Sequence, residues 1–157
     1  MSASSNEKKL TGGCQCGAVR YEWLEAPRYA SVCHCRMCQK ASGQPFMALT
    51  GGKLENLRWT RGQPSVFKSS DQGERGFCSA CGTPLTYRLE ASGRISVTIA
   101  SLDDPEAMRP TRQYGIESKL SWTDAIAGLP AQRTEDWMRD AGVATILSRQ
   151  YPDRGSA

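Results

Sequence analysis

The chain lacks the sequence features of membrane-spanning and nucleic-acid-binding proteins. Its 157 residues contain no stretch that approaches the roughly 18 apolar residues of a transmembrane helix. The net charge of +4 is only mildly basic, and no run of Lys and Arg reaches the density of a nucleic-acid-binding arm. Internal repeats and low-complexity segments are also absent from the sequence. We therefore expect one globular domain that binds neither a membrane nor nucleic acid.

The N-terminal composition also predicts no secretory signal. The N-terminal residues are rich in Ser, Asn, Glu and Lys and contain no apolar segment of the signal-peptide kind. We therefore expect a cytoplasmic protein in a reducing compartment. The predicted organisation is a flexible tail at residues 1–10, a single domain at 11–150 and a second tail at 151–157.

Cysteine, by contrast, is abundant. Seven cysteines form three tight groups: Cys14/Cys16, Cys33/Cys35/Cys38 and Cys78/Cys81. Disulfides are the main alternative to metal binding, but the odd count and the missing signal peptide argue against them, and cysteines one residue apart are poor disulfide partners. A thioredoxin-like redox pair at Cys78/Cys81 is disfavoured because no βαβ pattern surrounds it. Soft sulfur ligands at this spacing favour zinc.

The first and last cysteine groups can form one closed site. Gly17 follows the first group and Gly82 follows the last, and glycine lets backbone amides turn toward the sulfur atoms, as zinc-binding loops require. The two groups together supply the four sulfur ligands of a tetrahedral structural zinc. Such a site would join distant strands and contribute directly to folding.

The middle group has three cysteines and no fourth. His34, the only histidine, lies between Cys33 and Cys35, and in an extended segment its side chain would point away from both. We expect it to face solvent or to support a ligand, without binding the metal itself. Three cysteines then leave an open position, which is typical of a reactive zinc. Two alternatives remain: unmetallated buried cysteines, or a second structural site closed by an aspartate or His34.

An open zinc on three thiolates favours one kind of chemistry. The site is net anionic and therefore a weaker Lewis acid than a zinc on three neutral histidines, so water activation is less favoured. It still binds an external thiol, which loses its proton on binding. Because the thiolate is the nucleophilic form of a thiol, the pattern predicts attack of a metal-held thiolate on a carbonyl compound.

The remaining sequence predicts a small all-β or β-rich fold. Alternating apolar residues predict strands at 19–23, 85–89 and 95–99, with weaker candidates at 46–50, 57–60 and 65–68. Glycine-containing dipeptides predict turns at 12–13, 51–52, 61–62 and 92–93. A single helical turn is predicted to end near Lys40, and Thr134 is predicted to cap a helix with apolar residues as far as Leu147.

Three blocks of the sequence carry a resemblance to a known family. They are residues 12–21 (GGCQCGAVRY), 33–43 (CHCRMCQKASG) and 75–85 (RGFCSACGTPL), with a later turn at 101–105 (SLDDP). In combination they resemble the signature blocks of the glutathione-dependent formaldehyde-activating enzyme family. Centromere protein V, a eukaryotic protein of chromatin organisation, looks similar to the same family.

The resemblance implies a β-tent fold, built of small antiparallel sheets around zinc. It implies two zinc ions per chain: a structural ion on Cys14, Cys16, Cys78 and Cys81, and a catalytic ion on Cys33, Cys35 and Cys38 that accepts the sulfur of glutathione. The implied reaction is a carbon–sulfur lyase reaction, in which formaldehyde or a related aldehyde condenses with glutathione to S-hydroxymethylglutathione. A zinc-stapled binding module without catalysis is the alternative function.

Several polar residues near these blocks have two interpretations. Three basic residues either pair with the carboxylates of a tripeptide thiol or are ordinary surface charges; they are Arg36, Lys40 and Arg75. Ser42 and Gly43 are expected to shape the turn after the middle cysteine group. Asp103 and Asp104 are expected to form a turn.

Overall fold

The computed structural model describes residues 9–153. This part of the chain forms ten strands and two α-helices, connected by short 3₁₀ segments. The strands are β1 (Thr11–Gly13), β2 (Arg20–Trp23), β3 (Ala30–Cys33), β4 (Met47–Lys53), β5 (Leu57–Arg61), β6 (Ser65–Lys68), β7 (Gly73–Phe77), β8 (Pro84–Leu89), β9 (Arg94–Thr98) and β10 (Arg112–Tyr114). The helices are α1 (Arg36–Ser42) and α2 (Thr134–Asp140).

The strands form two sheets. The small sheet has the order β1-β2-β5 and the large sheet has the order β10-β3-β4-β9-β8-β7-β6. The prediction of a β-rich chain with a short C-terminal helix is confirmed. The one parallel pair among the described strands joins β10 to β3, and the sequence did not predict it. A parallel pair needs a long crossover connection, and here most of the large sheet lies between the two strands in sequence.

The main core contains residues of both sheets. Tyr21 and Trp23 of β2 are each 1% exposed, and they belong to the same buried cluster as Leu85 of β8 and Val97 of β9. The hydroxyl groups of Tyr21 and Ser101 are hydrogen-bonded at 2.7 Å, so the buried phenol has a partner. The apolar faces predicted at 19–23 and 95–99 are therefore confirmed.

Two of the four predicted glycine turns are wrong. Residues 12–13 lie in β1 and residues 51–52 lie in β4. A Cβ on Gly12 would lie 2.4 Å from the Tyr21 hydroxyl, and one on Gly52 would lie 2.8 Å from the Trp23 ring. These glycines therefore allow close packing against core aromatic rings inside strands. Gly62 and Gly93 have positive φ angles of 56° and 62°, as the two other predicted turns require.

The helices differ from their predicted bounds. Helix α1 extends to Ser42 and ends at Gly43, which has a φ of 65°, so it is longer than the single turn predicted. Helix α2 begins at Thr134 itself, with Arg133 as its N-cap. It ends well before Leu147, because Gly142 adopts a positive φ of 65° and terminates it. No helix of the described chain has the length and apolar character to cross a membrane.

Parts of the predicted tails contact the domain. Residues 1–8 and 154–157 lie outside the described residues. Leu10 is buried, and its carbonyl accepts a hydrogen bond from the Trp23 amide at 2.8 Å. The Tyr151 ring lies 5.1 Å from the Arg20 guanidinium and 5.2 Å from that of Arg61. Both tail residues therefore pack on the domain, while the predicted domain boundaries stay predictions.

Candidate metal centres

The first site joins loops from different sheets. Cys14 and Cys16 lie between β1 and β2, whereas Cys78 and Cys81 lie between β7 and β8. The Cys14 and Cys16 sulfurs are 3.6 Å apart, the Cys16 and Cys78 sulfurs are 3.9 Å apart, and all four sulfurs lie within 4.8 Å of one another. A tetrahedral zinc with Zn–S bonds of about 2.3 Å places its sulfurs about 3.8 Å apart. The cluster therefore fits a zinc ion.

Glycine shapes both loops of this four-cysteine site. Gly17 and Gly82 each have a φ of +76°. The Gly17 amide donates to the Cys14 carbonyl at 3.0 Å, and the Gly82 amide donates to the Cys78 carbonyl at 2.8 Å. The Val19 amide donates to the Cys14 sulfur at 3.2 Å. The glycines therefore close both loops through carbonyl oxygens, and in the first loop a following amide turns toward a sulfur, as expected.

The thiols of this cluster have divergent acidities. Burial raises the pKa of Cys78 to about 12. Burial also acts against ionisation of Cys81, but hydrogen bonds from the hydroxyl and backbone amide of Thr83 outweigh it and lower the pKa of Cys81 to about 6. Sulfurs this close cannot all ionise without a cation between them, because each new thiolate is repelled by the others. The cluster is thus suited to a divalent ion.

The second site is built on the end of β3 and the start of α1. Cys33 ends the strand, Cys35 is the N-cap of the helix and Cys38 lies in its first turn. Their sulfurs lie within 4.8 Å of one another, and no His, Asp or Glu of residues 9–153 joins them. The Cys38 amide donates to the Cys35 sulfur at 3.5 Å. The structure therefore brings together the three cysteines predicted from sequence and adds no fourth protein ligand to this group.

Acidities diverge in this three-cysteine site as well. Burial raises the pKa of Cys33 to about 12. Burial also opposes ionisation of Cys35, yet the Cys38 amide and the neighbouring sulfurs lower the pKa of Cys35 below its ordinary value. As in the first site, the sulfurs are close together and partly buried, so their ionisation is favoured only with a cation bound between them.

A later segment of the chain covers this site. Gly115 follows β10 with a φ of +64°, and a Cβ there would lie 2.6 Å from the Cys35 amide nitrogen. The Gln39 side-chain amide donates to the His34 carbonyl at 2.7 Å and to the Ser118 carbonyl at 2.9 Å. The parallel pairing of β10 with β3 therefore places residues 114–118 against the cysteine loop.

His34 is buried, so of its two expected positions, facing solvent or supporting a ligand, the solvent-facing one is wrong. It is 2% exposed, its Nε2 lies 3.0 Å from Oε1 of Gln113, and its ring packs edge-on against Phe46. Its Nδ1 has no hydrogen-bond partner among the described residues. His34 is not part of the three-cysteine group; instead, its contact with Gln113 connects the cysteine loop to β10.

Arg75 is also buried, and its interpretation as a surface charge is wrong. The residue is 4% exposed, and its Nη2 donates to the Cys38 sulfur at 3.3 Å. Its Nη1 faces the Met47 sulfur at 3.4 Å, and its Nε donates to Oγ of Ser69 at 2.9 Å. Its guanidinium lies 4.8 Å from the centre of the Tyr87 ring. The sequence indicated proximity to the cysteine groups but not this direct contact with a sulfur.

A cavity of about 350 Å³ adjoins the three-cysteine site. Arg75 and Met47, which both lie against Cys38, form part of its wall, together with Ala41, Phe67 and Phe77. A neighbouring hollow of about 480 Å³ shares Ala41 and Phe67 and carries three cations, Arg36, Lys40 and Lys68. Of the predicted basic residues, Arg75 therefore lines the cavity itself, whereas Arg36 and Lys40 line the neighbouring hollow.

Other residues singled out from the sequence have structural roles. The Ser42 hydroxyl donates to the Cys38 carbonyl at 2.8 Å, and Gly43 caps α1, as expected for the turn after the middle group. Asp103 lies in the expected bend and pairs with Arg20 at 2.9 Å and with the Thr11 hydroxyl. This ion pair connects the small sheet to the 101–105 turn.

Comparisons with known proteins identify a family and several relatives. Residues 9–118 match the family described as "Glutathione-dependent formaldehyde-activating enzyme", and this range contains all seven cysteines. A Halomonas elongata protein named "Putative glutathione-dependent formaldehyde-activating enzyme" is 26% identical over 152 residues, which cover 85% of this chain and 97% of that protein. A Schizosaccharomyces pombe protein named as an uncharacterized lyase is 30% identical over 76 residues, 48% of this chain and 55% of that protein.

One solved structure supports the fold. A Rhodobacter sphaeroides protein superposes with a TM-score of 0.54 at 22% sequence identity. The match covers 66% of this chain and 98% of that protein.

Proposed function

Because the chain belongs to the glutathione-dependent formaldehyde-activating enzyme family, we propose that it is a zinc-dependent carbon–sulfur lyase. Its proposed reaction condenses formaldehyde, or a related aldehyde, with glutathione to S-hydroxymethylglutathione. The observation that carries the proposal is the three-cysteine cluster, which has no fourth protein ligand among the described residues. The cluster adjoins a cavity, and a hollow with three basic residues lies next to that cavity. The names of the Halomonas and Schizosaccharomyces relatives agree with lyase chemistry.

The two cysteine clusters have different proposed tasks. Cys14, Cys16, Cys78 and Cys81 would hold a structural zinc, since their sulfur spacing fits a closed tetrahedral shell. Cys33, Cys35 and Cys38 would hold the catalytic zinc, and their soft sulfurs suit the same ion. When bound, that zinc supplies a coordination position at which a thiol is held as its thiolate.

The basic rim matches the charge of a tripeptide thiol. Glutathione has two carboxylates, and Arg36, Lys40 and Lys68 surround the hollow beside the cavity. Charge-assisted hydrogen bonds between these groups would orient the peptide. The apolar wall of Ala41 and Phe67, common to both spaces, would exclude water from the reacting sulfur.

The proposed reaction balances without a redox partner. The sulfur of glutathione forms a bond to the carbonyl carbon, and the electron pair of the carbonyl π bond moves to oxygen. The proton that leaves the thiol is matched by the one that the new hydroxyl group takes up. The chain's contribution is to hold the sulfur ionised beside the aldehyde, which raises the fraction of reactive nucleophile at neutral pH.

Exchange NMR with ¹³C-formaldehyde tests the proposal. Zinc-loaded protein should accelerate the interconversion of formaldehyde hydrate and S-hydroxymethylglutathione above the spontaneous rate. Cys38→Ser should remove the acceleration, while Arg94→Met, a change at an exposed strand residue, should keep it. A wild-type rate equal to the spontaneous rate would contradict lyase activity and favour the zinc-stapled binding module.

A further inference from the structure

We propose that Arg75 is the charge-compensating residue of the three-cysteine site and lets that site accept an anionic thiolate as its fourth ligand. The inference rests on the proposed function, because it requires zinc on Cys33, Cys35 and Cys38 with an open position. It is carried by the surroundings of the Arg75 guanidinium, which lies within the protein directly against the Cys38 sulfur.

The groups around this guanidinium are neutral, apart from the sulfur. Ser69, Met47 and the ring of Tyr87 contribute no formal charge. No carboxylate of residues 9–153 forms an ion pair with Arg75. A buried cation without a counter-charge is strongly disfavoured. The Cys38 sulfur lies 3.3 Å from Nη2, and it would become the counter-ion of Arg75 once metal binding has removed its proton.

Strand geometry keeps the adjacent carboxylate away. Glu74 precedes Arg75 in β7, and successive side chains of a strand point to opposite faces. Glu74 pairs instead with Arg88 of β8 at 3.5 Å. The sheet therefore directs the guanidinium alone toward the cysteine site.

The four-cysteine site has no equivalent contact. Its sulfurs accept hydrogen bonds from the Val19 amide and lie near the Thr83 hydroxyl, and no Lys or Arg side chain of the described residues hydrogen-bonds to them. Arg20, the other strongly enclosed arginine near that site, pairs with Asp103 at 2.9 Å. The hydrogen bond from a guanidinium to a cysteine sulfur therefore distinguishes the three-cysteine site from the four-cysteine site.

Charge balance gives this contact a consequence. Three thiolates and a divalent zinc leave one net negative charge, which the guanidinium neutralises. A fourth, exogenous thiolate then brings the group to a single negative charge instead of two. The interior of the protein has a low effective dielectric constant, so a unit positive charge as close to the metal site as the Arg75 guanidinium substantially raises the affinity for an anionic ligand. Arg75 therefore favours a thiolate over a neutral fourth ligand.

Ligand titrations of cobalt-loaded protein test this inference. The probes are 2-mercaptoethanol, which binds as a thiolate and carries no other charge, and imidazole, which is neutral; both change the cobalt absorption spectrum. Arg75→Met should lower the 2-mercaptoethanol affinity by at least about tenfold and leave the imidazole affinity unchanged. Arg75→Lys, which keeps the charge but not the planar fork, should have an intermediate thiol affinity. Arg94→Met, the exposed control, should match the wild type.

Each outcome decides the role of Arg75. The role is overturned if Arg75→Met and wild type have equal thiol affinities. It is also overturned if Arg75→Met loses thiol and imidazole affinity equally, because Arg75 would then only support the structure of the site. If Arg75→Met does not fold, the thiol affinity of Arg75→Lys decides the role, and an intermediate value supports it. If neither variant folds, the proposed role is overturned. A wild type that takes up no thiol contradicts the proposed function itself, whereas a thiol-binding wild type matched by Arg75→Met contradicts this inference alone.

Discussion

The sulfur atoms of Cys16 and Cys78 lie 3.9 Å apart, although 62 positions separate the two residues in sequence. Cys16 belongs to a loop of the small sheet and Cys78 to a loop of the large sheet. A metal bound at this point would therefore hold the two sheets together around their common core. The three-cysteine site, in contrast, is formed within residues 33–38 and connects no second sheet through its ligands.

This difference predicts unequal effects of losing one ligand from each site. Cys78→Ser should lower the melting temperature by at least about 10 °C, because it opens the site that joins the sheets. Cys35→Ser should lower it by only about 2–4 °C and leave a folded protein. Thermal melts of metal-loaded proteins, followed by circular dichroism, check this. Equal destabilisation would show that the division into a structural and a reactive site is wrong.

Metal content should follow the same partition. We expect two zinc ions per chain in metal-replete protein, measured by elemental analysis with quantitative amino-acid analysis. A chelator should remove the ion of the three-cysteine site first, because that site has one protein ligand fewer. One zinc per chain after reloading with zinc would contradict the two-site account.

Gly115 provides a separate test of the second site. Gly115→Ala places a methyl group 2.6 Å from the Cys35 amide nitrogen, so it should displace the cysteine loop and lower zinc retention there. Gly93→Ala is the matched control, because Gly93 has nearly the same φ, 62° against 64°, and no atom within 4 Å of the added Cβ. Both variants should lose about 1 kcal/mol of stability from backbone strain. Equal zinc retention in the two would contradict the expectation that Gly115 positions the cysteine loop for metal binding.

Glutathione should bind through its sulfur, with a defined pH dependence. Binding releases the thiol proton, so the affinity should rise about tenfold per pH unit up to about pH 8.5, the ordinary pKa of a cysteine thiol. Above that pH the free thiol is already ionised and the increase should end. S-methylglutathione keeps the peptide but has no ionisable sulfur, so it should bind more weakly and without this pH dependence. Calorimetry on zinc-loaded protein measures both ligands; equal affinities would exclude the metal from recognition.

The cysteine partition could be predicted from sequence because ligand spacing is a local property. The pairs Cys14/Cys16 and Cys78/Cys81, each followed by a glycine, form compact loops that are closed by local backbone hydrogen bonds. The strand at 95–99 could also be predicted, since its alternating apolar residues face one core. In these segments the local pattern and the tertiary environment favour the same structure.

The surroundings of the second site could not be predicted, because they depend on the pairing of distant segments. β7 contains Gly73, Glu74 and Gly76 and shows no apolar alternation, yet it carries Arg75 to the Cys38 sulfur. A Cβ on Gly76 would lie 2.3 Å from the Thr86 hydroxyl, so this glycine serves sheet packing. The parallel addition of β10 likewise buries His34. Neither the Arg75–Cys38 contact nor the burial of His34 can be recognised from the residues next to them in sequence.

The most direct test of an open zinc on Cys33, Cys35 and Cys38 is zinc X-ray absorption, which counts sulfur ligands per metal. With both sites filled, we expect an average of about 3.5 sulfurs per zinc, with a lighter atom as the fourth ligand of the second zinc. Saturating glutathione should raise the average to about 4, while S-methylglutathione should leave it unchanged. An average of about 4 before glutathione is added, or no rise after it, would contradict the account.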